Sequence, residues 1–370
     1  MLSLPFPKIV FRSSAAPRVI ARCAGALALG ALLAAAPVHA ASELKCTADG
    51  TFRVLLVSDT HFTPVRDEHG IALLERLIDT EHPDLVVVNG DCITGNPGPR
   101  VEDMKQAVAN VAFVMEEKKV PWAVTIGNHD GEQLSHYGIT KADMLGFYER
   151  YPHNLNAGWN RAIHGAGNKY FLIYDSQGTH PIFCLWLIDS NAYFPDDPSM
   201  PNKAKEYDWI HTDEIAWYFQ TSKDLEAKYG HKIPGLMFFH IPLPEFHEMV
   251  MTKKTIGERH EPESTPKINS GMFAAVFERG DVKGIFCGHD HVNNYLGYWR
   301  GVMLGYDGVA GYMPYPHIPD DDAANGQARD GRVFLLDQAH PGQFKTWIRF
   351  SDGSTNWESS SESYLKQGLK

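Results

Sequence analysis

The sequence predicts an α/β fold, and two observations carry that prediction. Between residues 52 and 130, apolar runs of strand length alternate with apolar residues at helical spacing, the signature of a parallel α/β layer. Five apolar runs along the chain also close on carboxylate, amide or imidazole groups, and strand ends of that kind line the ligand crevice of an open α/β sheet.

Phe52 to Asp59 (FRVLLVSD) is a continuous apolar run closed by polar residues and reads as a buried strand. Ile71, Leu74, Leu77 and Ile78 share one helical face in the segment 71–82, which stops at Pro83. Asp84 to Asp91 (DLVVVNGD) is a second strand. Val101, Met104, Val108, Val111 and Met115 recur at helical spacing, and Val120 to Asp130 (VPWAVTIGNHD) is a third strand. Tyr170 to Tyr174 and Pro181 to Asp189 flank Asp175 to His180 as an antiparallel hairpin. Thr212 is placed to cap a helix that carries Asp213 and Glu214 in its first turn and ends at Gly230. Gly235 to His240 is another buried strand, Thr252 to Ile268 a polar loop, and Met272 to Arg279 a short helix leading into the strand from Val282. Gly301 to Tyr306, Arg332 to Asp337 and Thr346 to Phe350 supply further strands, with a surface loop from Met313 to Arg329 and a Ser- and Glu-rich tail after Asn356.

The chain has 370 residues and 44% hydrophobic content, enough for one large α/β domain or two ordinary ones. Without an internal repeat or a long linker, one domain over residues 41–355 is the economical reading, with residues 356–370 as a polar tail. Residues 1–40 read as a signal peptide: Lys8, Arg12, Arg18 and Arg22, then a 16-residue apolar run from Cys23 to Val38, then Val38-His39-Ala40 as a cleavage site. A retained anchor is the other reading, although the run is short for a span of about 20 residues. Cleavage removes four positive charges and no carboxylates, taking the formal net charge from -11 to -15. That balance excludes nucleic acid as an expected partner, since such binding rests on basic patches, and the exported chain, periplasmic or secreted, is expected to leave the membrane. Cys46, Cys92, Cys184 and Cys287 remain, and they permit two disulfides or, for Cys92 and Cys287 at apolar strand ends, buried free thiols.

The five polar strand ends are Asp59 with His61, Asp91, Asn128 with His129 and Asp130, His240, and His289 with His291. Taken singly, each has a plainer reading. Ser58 to His61 is a turn or helix cap, Asn89-Gly90-Asp91 an ordinary turn, and His240 a satisfied buried histidine. Together they place dense polar groups at the ends of buried strands, which is costly unless something pairs with them. Two divalent ions sharing one carboxylate need about seven or eight protein ligands, and imidazole with carboxylate but no thiolate favours Fe, Mn, Zn or similar ions. Gly90, Gly127 and Gly288 precede the candidates, where a missing Cβ lets the chain turn side chains inward.

The ordered set SDTH, NGDC, GNHD, FFHIP and CGHDH resembles the calcineurin-like metallophosphoesterase superfamily over residues 54–291. Its flanking phrases FHIPLPEF, NSGMF and GDVKGIFCGHDHVNNY are most similar to the purple acid phosphatase 29-like group. The resemblance implies a four-layer αββα sandwich of two mixed β-sheets flanked by helices. It also implies two divalent or mixed-valence transition metal ions: Asp59, His61 and His291 on the first, Asn128, His240 and His289 on the second, and Asp91 bridging. His129 would be the catalytic residue that protonates the leaving oxygen or stabilises the transition state, Asp130 would orient it, and Asp290 need not be a ligand. Thr94 stands where the true purple acid phosphatases carry an iron-binding tyrosine, and His61 where they carry glycine, so a tyrosinate-bound ferric ion is not implied.

The implied activity is hydrolysis of small phosphate esters, monoesters first, by in-line attack of a metal-bound hydroxide. A phosphodiesterase or nucleotide hydrolase on the same scaffold is the alternative, and a non-catalytic metal-binding module the remote one. His247, Asn293, Tyr306 and Tyr312 follow the ligand strands and either touch substrate or serve packing and surface.

Overall fold

The computed structural model describes residues 44–194, 206–252, 254–312 and 329–360. The expected signal peptide, residues 313–328 of the expected surface loop and residues 361–370 lie outside them. The first part runs β1 (Thr51–Val57), α1 (Glu68–Glu81), β2 (Leu85–Asn89), α2 (Val101–Lys118), β3 (Trp122–Thr125), α3 (Leu134–Tyr137) and α4 (Lys141–Tyr148). Then come β4 (Lys169–Tyr174), β5 (Pro181–Leu187), α5 (Thr212–Tyr229), β6 (Gly235–Phe238), α6 (Pro244–Val250), β7 (Thr255–Ile256), α7 (Met272–Arg279) and β8 (Val282–Cys287). The chain closes with β9 (Leu296–Trp299), β10 (Val302–Tyr306), β11 (Asp330–Asp337), β12 (Phe344–Phe350) and β13 (Thr355–Ser360).

These strands form two mixed sheets, ordered β13-β12-β11-β1-β2-β3 and β4-β5-β6-β8-β10-β9-β7. β1, β2 and β3 run parallel, as do β5, β6, β8 and β10. Alternation along each strand then fixes the layers. Val54 and Leu56 of β1 join Leu236, Phe238 and Phe286 in the core between the sheets. Leu55 and Val57 point the other way, into a core with Leu74 and Leu77 of α1 and Val108 and Val111 of α2. Across the second sheet, Trp186, Met237 and Ile285 pack on Tyr218 of α5, Phe246 of α6 and Val276 of α7. Three cores between four layers make the αββα sandwich. Because the second half of β1 is buried on both faces, Val54 to Val57 is apolar without a break.

Several local expectations change. The α5 cap is His211, one residue before Thr212, because the His211 N–H donates to the Glu214 carboxylate at 2.7 Å and holds His211 extended. α4 starts at an unpredicted capping box in which Thr140 and Asp143 exchange side-chain to backbone hydrogen bonds. The polar loop from Thr252 contains β7, and Arg329, placed on the surface loop, is buried. Residues 356–360 of the expected tail belong to β13, a polar edge strand antiparallel to β12. Cys46, Cys92, Cys184 and Cys287 are all buried free thiols, each raised above its ordinary range chiefly by burial. Among the described residues no helix is long and apolar enough to cross a membrane.

Candidate metal centre

The five polar strand ends meet, but across two sheets rather than along one. β1, β2 and β3 deliver Asp59, His61, Asp91 and Asn128 from the first sheet, and β6 and β8 deliver His240, His289 and His291 from the second. Six of these fall into two clusters that share Asp91: Asp59, His61, Asp91 and His291 on one side, and Asp91, His240 and His289 on the other. Within each cluster the ligand atoms lie within 4.8 Å of one another. Asn128 is held beside them, since Gly127 packs on Asp91 and the His129 N–H donates to Asp91 Oδ1 at 2.8 Å.

Backbone geometry presents these side chains. Asp59, His61, Asp91 and His289 are all left-handed, with φ of 55°, 44°, 46° and 78°. Each such non-glycine residue costs on the order of 1–3 kcal/mol, and strain of this sort gathers at functional sites. The Asp59 N–H donates to the Gly90 carbonyl at 3.1 Å, and the His61 N–H to the Asp91 carbonyl at 3.0 Å, so the β1 and β2 turns are laced together. Of the three preceding glycines, only Gly90 needs its conformation, φ 85°. At Gly127 and Gly288 the reason is space: a Cβ would press on the Asp91 backbone and carboxylate in one case, and on Ser58 Oγ and Asp59 Oδ2 at 2.5 and 2.6 Å in the other.

The donor atoms fit cations. Asp59 Oδ1, His61 Nε2, Asp91 Oδ2, Asn128 Oδ1, His240 Nε2 and His289 Nε2 are buried and make no well-aligned hydrogen bond, their closest partners being one another or His291: Asp91 Oδ2 lies 3.1 Å from His240 Nε2 and Asp59 Oδ1 3.0 Å from His291 Nε2. So many unsatisfied polar atoms converging at one point is costly in an apo centre and natural for a ligand set. Burial would raise the Asp91 carboxyl, but the His240 and His61 imidazoles outweigh it and hold Asp91 below the usual carboxylate range. Burial likewise opposes charge on His240, yet Asp91 and Asp59 lift that imidazole to about 10. His289, by contrast, is driven down to about 3 by burial and by His240.

A surrounding set of residues orients these groups, and the sequence reading missed most of it. Ser58 Oγ sits between Asp59 Oδ2 at 2.6 Å and Asp307 Oδ1 at 2.9 Å. Burial first, and the Asp59 charge second, push Asp307 up to about 8. Asn89 bridges the sheets by donating to the Phe239 carbonyl and Asp307 and accepting from Thr125. The one available signal was Asn89 itself, a polar residue within a buried run.

Asp130 does not orient His129. Its carboxylate accepts from the Ile93 and Gly127 N–H groups at 3.0 and 2.8 Å, tying the β2 and β3 turns together. The group beside His129 is Glu132, whose Oε1 lies 3.3 Å from Nδ1, while His129 Nε2 lies 4.0 Å from Asp91 Oδ2. Asp290 points away from the centre and accepts from the Ser264 N–H and the Tyr306 hydroxyl. Asn293 accepts from the His260 and Glu261 N–H groups, so Tyr306 and Asn293 serve packing. His247 pairs with Glu263 at 3.0 Å, and Tyr312 stands edge-on to His69.

Comparison with known proteins places this geometry. The family model for calcineurin-like phosphoesterases matches residues 52–293. The Arabidopsis thaliana protein named probable inactive purple acid phosphatase 14 is 32% identical over 351 residues, covering 84% of this chain and 83% of that one. Probable inactive purple acid phosphatase 29 of the same plant is 31% identical, covering 87% and 89%. Among solved structures, a dimetal phosphatase from Danio rerio has the same fold with a TM-score of 0.55 at 13% identity, covering 84% of this chain and 98% of that one. GAP50 of Plasmodium, described as the anchor in the inner membrane complex, follows at a TM-score of 0.51 and 13% identity, with 84% and 88% covered. With its strand-end residues gathered at one point and the family model spanning most of that fold, the chain belongs to the calcineurin-like phosphoesterase family.

Proposed function

We infer that this chain is an exported phosphoesterase that holds two transition metal ions, Fe, Mn or Zn, and hydrolyses small phosphate esters, monoesters ahead of diesters. The observation that carries the reading is the convergence of five buried ligand atoms without a well-aligned hydrogen bond, from Asp59, His61, Asp91, His240 and His289, in two clusters that share Asp91, with Asn128 Oδ1 a sixth beside them. Asp59, His61 and His291 would hold the first ion, Asn128, His240 and His289 the second, and Asp91 both. Bound there, the ions supply positive charge for the phosphoryl oxygens and activate water. The chain's own part in the chemistry falls to His129. Its side chain is 36% exposed at the rim of the centre, so Nε2 reaches an incoming ester and carries the proton that the departing oxygen needs.

Export rests on the basic start, the apolar run and the Val38-His39-Ala40 site. The acid phosphatase names of the two plant relatives support monoesters, and the word inactive in the same names favours a second reading, a metal-binding module without turnover. Competent residues at all seven positions argue for chemistry.

The purified mature chain, reconstituted separately with Mn, Fe and Zn, is assayed for bound ions and for hydrolysis of p-nitrophenyl phosphate and bis(p-nitrophenyl) phosphate. Two ions with faster monoester turnover is the expected result. Faster diester turnover moves the reading to a phosphodiesterase, and two ions with no turnover moves it to the binding module.

A further inference from the structure

Glu132 stands where two orienting contacts meet. The Asn128 amide donates from Nδ2 to the Tyr193 hydroxyl at 3.0 Å, and Tyr193 donates to Glu132 Oε1 at 2.9 Å. The same Oε1 lies 3.3 Å from His129 Nδ1. A carboxylate only accepts, so the direction of the chain is set from its end: Tyr193 donates to Glu132 and its oxygen accepts from Asn128. The Asn128 amide must then turn its nitrogen to Tyr193 and its Oδ1 the other way, where that oxygen is buried without a hydrogen bond. On the other branch, the carboxylate stands against the Nδ1 side of the His129 ring, and Nε2 faces the centre, 4.0 Å from Asp91 Oδ2.

The arrangement has a built-in space. A Cβ at Gly95 would collide with Glu132 Oε2 and lie 3.0 Å from His129 Nδ1, so only glycine at 95 lets the carboxylate stand behind the imidazole. A turn places Glu132 there, its N–H donating to the His129 carbonyl at 3.2 Å.

We propose that Glu132 is a positioning residue that orients two groups of the centre at once, His129 directly at Nδ1 and the Asn128 amide through the Tyr193 hydroxyl. This rests on the two-ion phosphoesterase reading and adds that the leaving-group acid and one ligand of the second ion share a single acceptor. Disturbing that acceptor therefore disturbs proton delivery and ion binding together, whereas disturbing Tyr193 disturbs ion binding alone.

The test follows Mn²⁺ binding by calorimetry, alongside turnover on p-nitrophenyl phosphate and on glycerol phosphate, in the full mature chain. In Tyr193→Phe the weaker Mn²⁺ dissociation constant is expected to rise about tenfold, as for other partners of metal ligands, with the ratio of the two turnover numbers unchanged. In Glu132→Ala the same rise is joined by a fall of about 100-fold in kcat on the alkyl ester and only a few-fold on the aryl ester. Glu132→Gln keeps an acceptor oxygen and is expected to restore both readouts to within about fivefold of wild type. Wild-type Mn²⁺ binding together with a wild-type ratio in Glu132→Ala overturns the assignment. So does a Glu132→Gln protein as impaired as Glu132→Ala, because charge and not placement is then the cause. If the wild-type chain binds two Mn²⁺ yet hydrolyses neither ester, the phosphoesterase reading fails while the binding arm still decides the Glu132 to Asn128 link. A wild-type chain that binds no Mn²⁺ overturns both.

Discussion

His240 donates from Nδ1 to the Asn89 carbonyl at 2.9 Å, which leaves Nε2 aimed at Asp91 Oδ2, 3.1 Å away, with both side chains fully buried. The second sheet thus delivers one imidazole, in a set orientation, to the carboxylate that both clusters share. Removing that negative charge affects both clusters at once. We expect Asp91→Asn to lower the ion content of the reconstituted protein from two to below one per chain, read by elemental analysis. The variant also leaves His240 without its main counter-charge, so its imidazole should fall well below about 10 in the metal-free protein, which a histidine-resolved NMR titration reads. Retention of two ions would remove Asp91 as the shared ligand.

Gly127 gives a test that changes no candidate ligand. It has an ordinary φ, so an added methyl group is opposed by contact alone, against the Asp91 backbone nitrogen and Oδ1. Gly127→Ala is expected to cost on the order of 3 kcal/mol in denaturant unfolding and to weaken ion binding, because Asp91 must move to make room. Gly146, inside α4 with nothing within 4 Å of an added Cβ, is the contrast. Gly146→Ala should stabilise by up to about 1 kcal/mol through helix propensity. Equal effects at the two positions would mean that the Asp91 turn yields easily.

The legible part of the site is the part that buried backbone cannot hide. A polar residue at the end of an apolar run stands out because an unpaired polar group there is costly, and Asp59, Asp91, Asn128, His240 and His289 all announce themselves in this way. Glu132, Tyr193 and Asp307 carry no such mark. Glu132 lies in a turn rich in polar residues, Tyr193 in a connection after β5, and Asp307 two strands beyond the last candidate ligand, so only tertiary structure brings them to His129, Asn128 and Ser58. The same physics divides the fold. Long elements such as α1 and α2 show their period, whereas α3, α6 and β7 have too few residues to show one. The left-handed φ at four of the seven candidate ligands is likewise set by lacing between turns and not by local sequence.

Glu263 provides a pH test away from the centre. Its carboxylate anchors the loop beside the His289 turn, meeting Arg259 at 2.6 Å, the Tyr295 hydroxyl at 2.7 Å and His247 at 3.0 Å. Burial would raise this carboxyl, and the Arg259, Tyr295 and His247 contacts outweigh it and lower it from 4.5 to about 2. A depressed folded-state value means that the unfolded chain binds more protons in that interval, so stability rises with pH across it. The contribution is complete above about 4.5 and is lost as pH falls toward about 2. Glu263→Gln should therefore be less stable than wild type at pH 7, with the gap closing as pH falls through this window. A gap independent of pH would assign the loss to packing.

His129 is the one candidate whose removal should separate chemistry from ion binding. It stands beside Asn128, yet its Nε2 is 4.0 Å from Asp91 Oδ2 and its ring stays open to solvent at the rim, so the two clusters are complete without it. A proton donor matters in proportion to the basicity of the departing oxygen: an alkoxide needs the proton in the transition state, and p-nitrophenolate hardly does. His129→Asn keeps the backbone N–H that donates to Asp91 Oδ1, so the carboxylate keeps its place. We expect two bound ions, a fall of about 10² to 10⁴ in kcat on an alkyl phosphate, and a much smaller fall on p-nitrophenyl phosphate. Since the lost interaction is made only as the bond to the leaving oxygen breaks, KM should change little while kcat falls. Equal losses on both esters would point instead to a displaced ligand, which the ion count in the same sample would reveal. Full activity on the alkyl ester would remove His129 from the chemistry and leave proton delivery to solvent.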